Sequence, residues 1–167
     1  MKSNKAAKRE STYLILSQVR ESFGRVVYSH KVHEKQADIC FCKHRWQQGI
    51  LIGLTAIGSV TFLTEVVSQF ANRTLASLTT SLVALLVTWA SLGAKPFNYS
   101  EEAEAHRTTA SQLWSVRESY ISLITDLMSG DVSSSDAQAR RDDLQERAYA
   151  IYSTAPRTSD RAFKRAQ

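Results

Sequence analysis

A group of histidines and cysteines in the N-terminal third offers the side chains best suited to metal chemistry. The stretch HKVHEKQADICFCKH contains His30, His33, Cys40, Cys42 and His44. On a helix most of them share one stripe, and imidazole and thiolate groups are the ligands that zinc prefers. At ~1.5 Å per residue, however, the first and last histidines lie about 21 Å apart along the axis, too far for one ion. We therefore expect no metal site here, and interpret the stripe as helix packing with free thiols in a reducing cytoplasm.

A second group of polar residues follows in EEAEAHRTTASQLWSVRESYISL, where His106 lies on the apolar stripe of a predicted helix. The residues of this stripe are Ala103, His106, Ala110, Leu113, Val116 or Arg117, Tyr120, Ile124 and Leu127. This position fits a core histidine hydrogen-bonded within a bundle, or a sensor of pH or ligand, since histidine titrates near neutrality. Arg107 and Arg117 are suited to holding a phosphate or a carboxylate, or to an ordinary ion pair within the helix. With His33, these three form our set of candidate regulatory residues.

Sequence motifs of catalysis are missing from the chain. It contains no glycine-rich phosphate loop and no G-x-S-x-G nucleophile turn. We therefore expect no enzymatic activity, no catalytic residue and no cofactor.

Two long apolar runs, Gly49–Val67 and Thr74–Ala94, dominate the middle of the sequence. Mean hydropathy is −0.26 and 22% of residues are charged, yet Glu65 and Arg73 are the only charges between Arg45 and Lys95. Twenty helical residues reach ~30 Å, the thickness of a bilayer core. Neither run has the charged face of a soluble helix. The pattern favours a transmembrane hairpin with spans at 47–68 and 74–94 over a soluble helical hairpin.

Basic residues predict how such a hairpin would be oriented. Ten Lys or Arg precede the first run, Arg73 lies in the connection, and ten follow the second run. Because basic residues favour the cytoplasmic side, we expect a multi-pass membrane protein with both termini in the cytoplasm.

The sequence predicts helices in the remaining segments, within a single all-α domain, 1–167. Helical spacing predicts a cytoplasmic helix over 1–46 and two more over 99–129 and 135–155, followed by a basic tail, 156–167, that is a short helix or frayed. Ser100 is the predicted N-cap of the second of these helices, and Gly130 its end. Pro156 closes the third.

Small residues form stripes within both apolar runs, at helical spacing. In the first run Gly49 and Gly53 form a G-x-x-x-G pair, and Gly58 and Thr61 share a stripe with the acid Glu65. In the second run the stripe consists of Ser77, Ser81, Ala84, Thr88 and Ser91. Small residues allow close helix packing in lipid, and hydroxyls also suit the wall of a pore, so both uses remain open. Glu65, the only acid in either run, either faces a cavity or reaches the headgroups, where Arg73 is a potential partner.

The order of segments resembles a known family. The motif HEKQAD, the two apolar runs, EEAEAHRTTASQLWSVRESYISL and LQERAYAIYSTAPRTSDRAFKRA together resemble the SLATT family over about Tyr13–Ala166, with Ala105–Arg107 the most specific part. These are bacterial two-transmembrane effectors associated with nucleotide-second-messenger and related conflict systems. The last segment is similar to the branch encoded beside reverse transcriptases. The resemblance implies a pore-forming or membrane-disrupting effector of antiphage defence, triggered by a partner.

Two spans cannot enclose a water-filled path, so a pore would require several copies. We expect triggered oligomerisation, then depolarisation and growth arrest or cell death, with lipid and a defence protein such as a reverse transcriptase or nucleotidyltransferase as partners. The alternatives are an adaptor that holds such a partner at the membrane without a pore, and a small transport or channel regulator. The positive-inside bias and anionic lipids account for the basic tail, so we do not expect direct nucleic-acid contact.

Overall fold

The computed structural model describes residues 2–57, 69, 73–94 and 98–167, and these ranges are mostly helical. The helices are α1 (Lys2–Ile57), α2 (Arg73–Ala94), α3 (Tyr99–Ser129), α4 (Ser134–Thr154) and α5 (Asp160–Ala166). The basic tail therefore contains a short helix rather than a frayed end.

The ends of α3 have clear local causes. The backbone N–H of Glu102 donates to the carbonyl of Asn98 at 3.1 Å, so the helix begins at Tyr99, one residue before the predicted cap Ser100. At the other end Gly130 has a φ of 80°, a left-handed conformation that favours glycine. The N–H groups of Gly130 and Asp131 both donate to the carbonyl of Asp126, which closes the last turn.

Serine caps start the next two helices. The hydroxyl of Ser133 accepts a hydrogen bond from the N–H of Asp136 at 3.2 Å, and that of Ser159 accepts one from Ala162 at 3.3 Å. Each cap supplies a partner for a helix N–H that has none within the helix. The extended residue Ala155, directly before Pro156, ends α4 and redirects the chain towards α5.

The chain divides into two compact units. Unit 1 comprises Met1–Ile39 and Ala103–Gln167, and unit 2 comprises Cys40–Glu102. Unit 1 thus contains most of α1, most of α3, and all of α4 and α5. Unit 2 contains the end of α1, α2 and the start of α3.

The main core of unit 1 is a three-helix arrangement of α1, α3 and α4. Its buried residues are Ile15, Val19 and Val26 from α1, Leu113, Val116, Tyr120, Leu123 and Leu127 from α3, and Ala137, Leu144 and Ala148 from α4. The predicted apolar stripe of α3 is thus the face that is buried. Within it Val116, not Arg117, points inward, and Leu123 is more buried than Ile124.

A second, smaller cluster attaches α5 to α1. Ala162 and Ala166 are buried against Val32 and Ile39, with Tyr28 packed alongside. Alanine has no side chain beyond Cβ, so the short helix can approach α1 closely. The tail is therefore part of unit 1.

The predicted two-span transmembrane hairpin is wrong. Among the described residues, no helix has both the length and the apolar character needed to cross a bilayer. The described part of α1 stops at Ile57, so only Gly49–Ile57 of the first run lies in it. Nine helical residues reach only about 14 Å. The second run coincides with α2, but Ser, Thr and Gly interrupt its leucines and lower its hydropathy.

The core of unit 1 gives a first testable prediction. Leu113 is fully buried between three helices, so Leu113→Ala should lower the free energy of unfolding by about 2–5 kcal/mol, because it leaves a cavity. Met128→Ala, on the same helix but 65% exposed, is the matched control and should change it by less than ~0.5 kcal/mol. Urea unfolding followed by circular dichroism measures both. Equal losses for the two variants would show that α3 does not pack through Leu113.

A buried histidine pair as the candidate functional site

Two of the candidate regulatory residues meet inside unit 1. His33 on α1 and His106 on α3 lie 73 residues apart in sequence, yet their Nδ1 atoms are 2.9 Å apart. The ring centroids are 5.1 Å apart with an angle of 39° between the planes. Their exposed fractions are only 6% and 3%. The contact is a buried side-chain hydrogen bond between two helices.

Small neighbours make room for the pair. His106 lies on the buried face of α3 between Ala103 and Ala110, one turn away on either side. On α1, His33 is followed one turn later by the buried Ala37. Because alanine fills little of the space between two helices, an imidazole from each helix fits there.

The bond requires that only one of the two Nδ1 atoms carries a proton. One Nδ1 carries the proton and donates, and the other accepts with its lone pair. Burial, with a smaller effect from the adjacent His106, lowers the pKa of His33 from 6.5 to about 4. His33 is therefore uncharged at pH 7. The pair forms a polar contact between α1 and α3, and His33 is not poised to sense small pH changes near neutrality.

The two candidate arginines lie elsewhere on α3. Arg107 is exposed, and Arg117 is half-buried. Arg117 donates from Nε and from a terminal nitrogen to Oε1 of Glu118, at 3.0 and 2.7 Å, and its guanidinium lies 6.0 Å from the ring centroid of Trp114. Of the two interpretations open for Arg117, the structure thus shows the ion pair within the helix.

The small-residue stripes are only partly described. Gly58, Thr61 and Glu65 lie outside the described residues, and Ser77 lies in α2 without a described side chain. Gly49 and Gly53 are exposed on α1, and a Cβ added at either would meet no atom within 4 Å. Ser81, Ala84, Thr88 and Ser91 are exposed on α2, where the hydroxyl of Thr88 donates to the carbonyl of Ala84 at 2.8 Å.

Several polar contacts were not evident from the sequence. The side-chain oxygen of Gln36 accepts hydrogen bonds from the N–H and the hydroxyl of Ser159, at 3.1 and 2.6 Å, and so holds the start of α5. In unit 2, the buried thiol of Cys40 donates to Oε2 of Glu102 at 3.5 Å. Each contact joins residues far apart in the chain, so no local spacing predicts it. Within the described ranges, no three His, Cys, Asp or Glu side chains converge as metal ligands would.

The family of this chain is evident from most of its length and not from a single site. The sequence profile of the SMODS and SLOG-associating 2TM effector domain family 4, a SLATT family, matches residues 15–167. The chain belongs to this SLATT family. The match confirms the resemblance seen in the sequence and covers α1 from Ile15 onward together with α2, α3, α4 and α5. No curated protein and no solved structure matches the chain.

The histidine pair of this SLATT protein makes stability depend on pH. The pKa of His33 is about 4 when folded and about 6.5 when unfolded. As pH falls below 6.5, the unfolded state therefore binds a proton that the folded state does not, and stability falls until about pH 4. His33→Gln removes this titration, so its free energy of unfolding should fall less between pH 7 and pH 5 than that of the wild type. Urea unfolding at the two pH values measures the difference.

The control for that experiment is His44→Gln, which removes a histidine from unit 2. We expect it to retain the pH dependence of the wild type. If His33→Gln lost stability on acidification as steeply as the wild type, the buried neutral pair would not be the cause.

Proposed function

We propose that this SLATT protein is the effector of an antiphage defence system, and that it acts by self-association at the cytoplasmic membrane. In this proposal a partner protein holds the chain silent. When the partner is triggered by infection, copies associate, the membrane depolarises and growth stops or the cell dies. The protein acts by forming an assembly, not by turning over a substrate.

Family membership supports the first part of this proposal. The family is described as an effector domain that associates with SMODS and SLOG, so its members function beside other proteins of a system. We extend this to a cognate defence protein, such as a reverse transcriptase or nucleotidyltransferase, as the partner of this chain.

The observation that carries the second part is an exposed apolar stripe on α2. Leu82, Leu85 and Leu86 are exposed by 57%, 66% and 43%, and Trp89 and Leu92 by 75% and 62%. Their spacing of three and four residues puts them on one side of the helix. An apolar surface of this kind normally marks an interaction site with protein or membrane. Covering it with other copies, lipid or both would provide the driving force for the proposed association.

A second stripe lies beside the first. Ser81, Ala84, Thr88 and Ser91 place small and hydroxylated side chains on the neighbouring face of α2, and all four are exposed. An assembly that covered the apolar stripe would leave this face free to contact water.

The charge distribution supports action at the inner surface of the membrane. The chain has a net charge of +5, and its basic residues lie almost entirely before and after the two apolar runs. The cytoplasmic leaflet is anionic and attracts Lys and Arg with about 1 kcal/mol per residue near its surface. We propose that both termini lie on this side.

The apolar stripe gives the test of this function. The double variant Leu85→Ser, Trp89→Ser removes its most exposed side chains and should abolish depolarisation when the protein is expressed with its triggered partner. A potential-sensitive dye in growing cells measures this. Tyr13→Ser, which removes a 71% exposed aromatic residue from α1 in unit 1, is the control and should depolarise like the wild type.

Size-exclusion chromatography of the same proteins separates the effector from an adaptor. We expect the wild-type protein to form larger oligomers when its partner is triggered, and the double variant to form none. A wild-type protein that assembles with its partner while the membrane potential remains intact would contradict the proposal and favour the adaptor.

A further inference from the structure

A groove in unit 1 lies between α1 and α4, away from the histidine pair. It consists of two adjoining recesses, each of about 340 Å³, a size that suits a small ligand. Both are lined by Ser22, Arg25 and Gln145. Because they share these three residues, they form one continuous feature, which we call the α1–α4 groove.

One half of the groove is polar and contains a well-positioned arginine. The side chain of Arg141 is only 18% exposed. It donates from Nε and one terminal nitrogen to Oδ1 of Asp142, at 2.9 and 2.7 Å, and from the other terminal nitrogen to Oε1 of Gln18. A guanidinium has five N–H groups, so these contacts fix its orientation and account for three of them. The remaining donors are suited to an anion.

A second arginine lies on the opposite wall. Arg25 on α1 is 67% exposed, and its nearest acid is Glu21, one turn earlier, at 3.5 Å. Glu21 also lines the polar half. An exposed pair of this kind contributes little to stability. An anion that binds Arg25 more closely can therefore displace Glu21 without loss to the fold.

The floor between the arginines is a hydrogen-bonded set of neutral groups. The amide of Gln145 donates to the hydroxyl of Ser22 at 3.4 Å, and Tyr120 is fully buried beneath them. Burial raises the pKa of Tyr120 above its usual 10.0, while Arg25 and Arg141 both act in the opposite direction. Arg25 and Arg141 both line the polar half of the groove, together with Ser22 and Gln145 of this floor.

The other half of the groove is lined mainly by aromatic and small apolar residues. Tyr149 and Tyr152, one turn apart on α4, are 73% and 39% exposed, and Val26 and Ala148 lie beside them. The small side chain of Ala148 leaves space between the two helices. Tyrosine rings exposed in this way can stack against a planar ring at centroid distances of roughly 4.5–7 Å.

We propose that the α1–α4 groove binds a small aromatic phosphate monoester. The phosphate lies between Arg25 and Arg141, and the ring lies against Tyr149 and Tyr152. The phosphate oxygens match the forked donors of arginine in geometry, and the phosphate takes the place of the Glu21 carboxylate at Arg25. Because this proposal concerns unit 1 alone, it does not depend on the proposed membrane activity.

The test is calorimetric titration of the purified full-length chain with phenyl phosphate. Inorganic phosphate and benzyl alcohol serve as probes of the two halves of the groove. We expect phenyl phosphate to bind about tenfold or more tightly than either, because only it engages both the arginines and the tyrosines. No saturable binding at millimolar concentrations, or equal affinity for phenyl phosphate and inorganic phosphate, would overturn the proposal.

Substitutions locate the binding site. Arg25→Gln and Tyr149→Ala should each weaken phenyl phosphate binding about tenfold, since each removes an exposed contact from one half of the groove. The matched controls are Arg147→Gln, in a separate recess formed with α3, and Tyr13→Ala, 71% exposed on α1. Both should bind like the wild type. If Arg147→Gln weakened binding as much as Arg25→Gln, the attraction would be general positive charge and the groove would not be the site.

Discussion

The packing of α3 against α1 is the constraint on which unit 1 depends. Its most specific contact is the hydrogen bond between His33 and His106, which joins residues 73 positions apart. A buried polar pair is favourable only when both partners are present and correctly aligned, because an unpaired imidazole in the same place would lose its hydrogen bonds to water without replacement. The pair therefore specifies which part of α3 faces which part of α1. The apolar contacts through Leu113 and Tyr120 bury apolar surface, but they tolerate small shifts of one helix along the other.

Once α3 is in place, the rest of unit 1 follows. The glycine turn at Gly130 and the cap at Ser133 reverse the chain, so α4 packs on the same core through Leu144 and Ala148. The extended residues after α4 then return the chain to α1, where Gln36 holds Ser159. The same arrangement leaves the α1–α4 groove between two helices that are already fixed by their core contacts. A ligand there would bind a largely preformed site and avoid much of the entropy cost of ordering it.

The sequence predicted local features well because they depend on residues three or four positions apart. Helical spacing identified the stripe of α3, and Gly130 and Pro156 marked where helices end. It did not decide between Val116 and Arg117, since a period of 3.6 residues allows either until the partner helix is known. The pairing of His106 with His33, and of Gln36 with Ser159, depends on which helix faces which, and no local pattern contains that information. The transmembrane hairpin failed for a different reason. It relied on the length of uncharged runs, whereas α2 contains many hydroxyls and the described part of α1 includes only Gly49–Ile57 of the first run.

We propose that this SLATT protein acts on the membrane itself. The most direct measurement is potassium release from vesicles that contain anionic lipid, using the purified full-length chain with its triggered partner. We predict that potassium release rises more steeply than linearly with protein concentration, because several copies must associate for each leak. Vesicles that retain their potassium while the protein assembles with its partner on their surface would contradict it.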